Sequence, residues 1–161
     1  MMLNDHKRKW FDAVVWCASA LFAAGLAVDA AHAESHRYAV ENAAYVAECG
    51  GCHVAYPPSL LGADTWRAIM QGLQQHFGTD ASVSDAKRAE VTAYLVGASG
   101  GKRSAATTLR ITESQWFRRE HAEIAAATWK LPAVKSAANC EACHRQANSG
   151  DFSERGIRVP R

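Results

Sequence analysis

Two pentapeptides stand out for what their side chains can do together: Cys49-Gly50-Gly51-Cys52-His53 and Cys140-Glu141-Ala142-Cys143-His144. Each has the form C-x-x-C-H, the attachment pattern of c-type haem. Two thiols three positions apart can both reach the vinyl groups of one porphyrin, where each S–H adds across a vinyl double bond and leaves a thioether. The imidazole of the next residue then meets the iron from one face, and a proximal His is a standard haem ligand. Random placement of five Cys and seven His in 161 residues would give about 0.007 such motifs. A four-thiolate zinc site would use the paired Cys but give no role to the His after each pair. A thioredoxin-like pair would stand alone in a βαβ context, which this chain lacks. The motifs predict two covalently bound haem c groups, held through Cys49, Cys52, Cys140 and Cys143, with His53 and His144 as proximal iron ligands.

What such a chain does depends on the other face of each iron. Beyond the N-terminal segment treated below, the candidates are His36, His76, His121 and Met70. At about 100° per residue, His76 falls beside an apolar helical face begun by Trp66, and His121 falls near Phe117 and Ile124. His76 and His121 are therefore the expected distal ligands. Met70 lies within an apolar stripe, where core filling is its plain role, and is the alternative distal ligand to His76. His36 lies close to the expected mature N-terminus, where chains fray, and ranks last. Pairing His76 with His53 and His121 with His144 closes loops of 23 residues, against 68 for the crossed pairs. The difference favours the uncrossed pairing by roughly 1 kcal/mol.

The elements that must position these groups read as helices, with no convincing alternating strand. Residues 38–48 are Ala-rich and run into the first motif. Asp64 is the expected cap of a second helix whose face carries Trp66, Ile69, Met70, Leu73 and Phe77, ended by Gly78. Ser84 opens a third helix to about Val96. Thr112 and Gln115 have capping-box spacing for a fourth, running through Trp116, Phe117, His121 and Ile124. The expectation is an all-α protein in which residues 34–98 and 111–161 form two haem-binding halves joined by a connector over 99–110. Each half is too small for a generous core, so the haem faces are expected to replace part of it.

The first 33 residues are set apart. Lys7, Arg8 and Lys9 precede an uncharged, mostly apolar run over 13–28, and Ala31-His32-Ala33 has the A-x-A form of a cleavage site. These are the parts of a secretory signal peptide cleaved after Ala33. An uncleaved membrane anchor is the minority alternative, since a span wants about 20 apolar residues. The remaining 128 residues keep 15 basic against 13 acidic side chains and a charge of +2, too balanced for a nucleic-acid binder. An apolar content of 48% allows an ordinary packed core. The mature protein is expected to be periplasmic and not membrane-spanning.

With these residues in view, the chain resembles the dihaem cytochrome c family called DHC. The resemblance rests on Glu48-Cys49-Gly50-Gly51-Cys52-His53, then Ala55-Tyr56-Pro57-Pro58, Trp66-Arg67 and His76-Phe77-Gly78. It continues through Trp116-Phe117-Arg118-Arg119-Glu120-His121 and Asn139-Cys140-Glu141-Ala142-Cys143-His144, covering nearly all of the expected mature chain. It implies a low-potential periplasmic electron carrier with bis-His haems. It also implies redox partner proteins: an oxygen-binding monohaem cytochrome and a membrane b-type cytochrome. The alternative is a dihaem redox enzyme, peroxidase-like, with one open iron. Having enough His to close both irons favours the carrier.

Overall fold

The computed structural model describes residues 38–100 and 108–161. The signal-peptide and cleavage expectations, His36, and residues 101–107 of the connector lie outside them.

Four helices carry the first half and the start of the second. In α1 (Ala43–Cys49), the Asn42 side chain caps the first turn by accepting from the Tyr45 N–H at 2.7 Å. Helix α2 spans Ala63–Gln71 and α3 spans Asp85–Gly97, the latter capped by the Ser84 hydroxyl accepting from Lys87 N–H. Helix α4 (Gln115–Glu120) is capped by the Ser114 hydroxyl accepting from Phe117 N–H at 3.1 Å. Helix α2 packs on α3, and α1 packs on α3. The rest of the described chain is 3₁₀ turns and irregular segments with isolated bridges only, so the fold is all-α, with no sheet among the described residues.

The boundaries differ from the sequence expectations in three places. Asp64 lies inside the first turn of α2 and pairs with Arg67 at 2.6 Å, while Gly62 holds the cap position. The long helix expected up to Gly78 stops at Gly72, a poor helix residue, and a 3₁₀ turn over Leu73–Gln75 follows. Phe77, expected on the buried face, is 42% exposed. The capping box of Thr112 and Gln115 does not form, because Ser114 takes the cap and Ile111–Glu113 is its own 3₁₀ turn. Helix α4 then ends at Glu120, well short of Ile124.

A core joins the two halves. Tyr45, Leu61, Trp66, Ile69, Met70, Leu73, Val91 and Leu95 pack together with Ile111 and Phe117. The Trp66 indole N–H donates to the Pro58 carbonyl at 2.8 Å, so the ring is buried without stranding its donor. Tyr56 O–H donates to the Ala138 carbonyl across 82 residues, at 2.9 Å. Gly150 has φ +78°, and a Cβ there would stand 2.8 Å from Ala39 backbone atoms. That position needs glycine for both reasons.

Candidate functional site

The first site forms where α1 ends. Gly50 closes the helix so tightly that a Cβ would fall 2.6 Å from the Val46 carbonyl oxygen, and the chain turns to set Cys49, Cys52 and His53 around one cavity. His53 Nδ1–H donates to the Val54 carbonyl at 2.8 Å. A carbonyl only accepts, so the proton belongs on Nδ1 and the Nε2 lone pair is left for a metal. Tyr56 stacks on the His53 ring, centroids 4.5 Å apart and planes 16° apart. Across the cavity stands His76, its ring centroid 6.3 Å from that of His53 and tilted by 23°.

His76 is placed by a tight turn and not by a helix. It follows the 3₁₀ turn, and its carbonyl accepts from Thr79 N–H at 3.1 Å. Phe77 and Gly78 between them have φ of +52° and +99°. Positive φ at both central positions is the pattern of a type I′ turn, which favours Asn or Gly at the first. A bulky residue held there costs on the order of 1–3 kcal/mol. The Phe77 ring lies 4.8 Å from the His76 ring, and the Arg110 guanidinium carbon sits 4.2 Å above the Phe77 centroid. Met70 is buried on α2 and lines the same cavity.

The second site uses a helix end. His121 occupies the C-cap of α4, where both its backbone N–H and its Nδ1–H donate to the Phe117 carbonyl, the latter at 2.9 Å. That places its proton as in His53. Phe117 stacks on the His121 ring with centroids 4.0 Å apart. His144 follows the 3₁₀ turn over Cys140–Ala142, and its ring centroid lies 6.2 Å from that of His121 with planes 78° apart. Phe152 packs against His144 at 5.3 Å, and Arg158 N–H donates to the Cys143 carbonyl at 2.9 Å, tying the C-terminal tail to the motif. His144 Nδ1 is buried with no hydrogen-bond partner among the described residues. The two proximal imidazoles are therefore supported differently.

These distances suit an iron between each pair. An imidazole nitrogen binds a metal at roughly 2.0 Å and lies about 1.1 Å from its ring centre, so two rings on one metal should stand about 6.2 Å apart. The cavities measure about 460 Å³ beside His53 and about 280 Å³ beside His144, and apolar side chains line most of each. That size and lining belong to cofactor sites. All four described cysteines are free thiols. Burial pushes the Cys49 and Cys140 thiols each up to about 11. His76 and His144 are lowered, first by burial and then by the facing imidazole, which favours the neutral ligating form. No group of three or more Cys, His, Asp or Glu is gathered for a metal ion among the described residues. The four-thiolate zinc alternative therefore has no site here.

The two cavities share a wall of Tyr56, Ile111 and Thr112. Tyr56 enters the sequence analysis only as part of the family resemblance and with no role at the site, although an aromatic three residues after a proximal His is a usable signal. Phe77 was seen but given the wrong environment. Of the basic residues outside the motifs, Arg110 borders the first cavity and pairs with Glu113 at 3.6 Å.

The profile of the dihaem cytochrome c family matches residues 45–152. A diheme cytochrome c structure from Rhodobacter sphaeroides is 36% identical, covering 71% of this chain and 99% of that one, with a TM-score of 0.66. A diheme cytochrome type c structure from Shewanella baltica OS155 is 41% identical, covering 74% and 93%, with a TM-score of 0.66. No curated protein sequence matches. The matched span includes both C-x-x-C-H motifs, His76 and His121. The chain belongs to the dihaem cytochrome c family, whose members carry two covalently bound haem c groups.

Proposed function

We propose that this protein is a periplasmic one-electron carrier whose two haems are each ligated by two histidines. Cys49 and Cys52 tether the first haem, with His53 proximal and His76 distal. Cys140 and Cys143 tether the second, with His144 proximal and His121 distal. The carrying observation is the pair of facing imidazoles at 6.3 and 6.2 Å, which matches the spacing of two rings on one metal. His53 with His76, and His144 with His121, would hold each iron with protein ligands alone, which favours electron transfer over substrate chemistry.

The residues support that role in three ways. The Val54 and Phe117 carbonyls orient His53 and His121 and raise their basicity as ligands. Imidazole in place of Met lowers the reduction potential, since Met ligation raises it. The shared wall of Tyr56, Ile111 and Thr112 places the two redox sites next to each other, so an electron entering one has a short way to the other. No helix among the described residues is long and apolar enough to cross a membrane, and residues 1–33 carry the export reading. By family analogy, the protein accepts electrons from a membrane b-type cytochrome and passes them to a soluble oxygen-binding monohaem cytochrome.

A redox titration of purified holoprotein, followed optically, tests this. Two one-electron steps at low potential with low-spin spectra in both states are expected. A high-spin haem that binds peroxide would instead support the enzyme alternative.

A further inference from the structure

Phe77 is an aromatic residue in a backbone conformation that suits Asn or Gly, and it stays 42% exposed. Neither its strain nor its exposure is explained by core packing. What the ring does touch is the His76 imidazole and the Arg110 guanidinium. Arg110 is tied in turn to Glu113, and Phe77, Arg110 and His76 all border the first cavity. A cation over an aromatic face is held more strongly as the pair is desolvated. The contact also crosses the chain, joining the turn after α2 to the segment that precedes α4.

We propose that Phe77, latched by Arg110, is a positioning residue that holds the His76 imidazole on the first iron and closes that face to small external ligands. This rests on His76 being the distal ligand. Among the described residues His121 has no such arginine-latched ring: it is flanked by buried Phe117 of its own helix at 4.0 Å and by Trp129 at 5.8 Å. The clamp is therefore specific to one haem. It explains why the turn keeps Phe: Asn would relax the backbone but leave the outer face of His76 in water.

Carbon monoxide binding to the dithionite-reduced holoprotein tests it, because the gas can reach a bis-His iron only when a histidine lets go. In Phe77→Asn, one of the two association phases is expected to accelerate about tenfold, equivalent to about 1.4 kcal/mol, while the other is unchanged. Arg110→Gln, which leaves the turn intact, should accelerate the same phase, and Phe77→Tyr should restore the wild-type rate. If Phe77→Asn does not assemble, Arg110→Gln carries the test alone. Unchanged kinetics in the assembled variants, with or without a change in thermal stability, would reduce Phe77 to a surface packing residue and overturn the proposal. Rapid uptake by the wild-type protein itself would show that His76 does not hold the iron, and the clamp would fall with that reading.

Discussion

Replacing Tyr56 should weaken the link between the two haem-binding halves in two separable steps. Its hydroxyl donates to the Ala138 carbonyl at 2.9 Å, two residues before Cys140, while its ring stacks on His53 at 4.5 Å. Tyr56→Phe keeps the ring and strands a partly buried carbonyl, a loss of about 1 kcal/mol. Tyr56→Ala also removes the stack and the wall between the cavities. Aromatic-to-Ala changes cost about 3–5 kcal/mol in full cores, so about 3 kcal/mol is expected for this half-buried ring. For a domain of this size, Tm should fall roughly 3–5 °C for Phe and about three times as far for Ala. Thermal unfolding of the holoprotein, followed by far-ultraviolet circular dichroism at fixed scan rate, reads both. A second readout is the first haem's potential, which should move in the Ala variant and stay close to wild type in the Phe variant. Equal stability of wild type and Tyr56→Phe would refute the bridging hydrogen bond. Equal losses in both variants would refute the role of the ring.

Three further outcomes follow from the same geometry. Burial holds the Tyr45 and Tyr56 phenols well above their ordinary value of 10.0, so the unfolded chain releases these protons first as the pH rises. Stability should be flat below pH 10 and fall above it by up to about 1.4 kcal/mol per pH unit per tyrosine, and alkaline titration of Tyr45→Phe should show a shallower fall. The double variant Cys140→Ala/Cys143→Ala, expressed in a host that matures cytochromes c, should lose one haem by intact mass and retain the other, and a protein still carrying two would refute the attachment assignment. Electron-transfer rates to an acidic partner should fall with added salt and with Arg110→Glu or Arg158→Glu; indifference to all three would leave an apolar haem-edge contact as the docking mode.

The sequence exposed the chemistry more fully than the scaffold. The C-x-x-C-H motifs are legible because thioether attachment fixes the spacing of Cys49, Cys52 and His53 within one turn of chain, with no help from tertiary structure. The distal candidates were legible by scarcity, since few other His remain in 34–161. Their orientation has another origin than a continuous helical face. His76 stands in a type I′ turn and His121 at a helix cap, so neither is placed by the helical period that was assumed. Gly72 and Ser114 decided those boundaries, one by ending a helix early and the other by capping in place of Thr112. Contacts that depend on the folded chain could not be read at all. The Tyr56 bond to Ala138 spans 82 residues, and the positive φ of Phe77 breaks the usual preference of its residue type.

Electron paramagnetic resonance of the ferric holoprotein, combined with near-infrared spectra, tests the central claim most directly, because it reports the axial ligands of both irons at once. The account predicts two low-spin ferric centres with bis-imidazole ligation, and loss of one of them when His76 or His121 is replaced by Ala. A high-spin centre in the wild-type protein, or a sulfur-to-iron band that disappears in Met70→Leu, would contradict it.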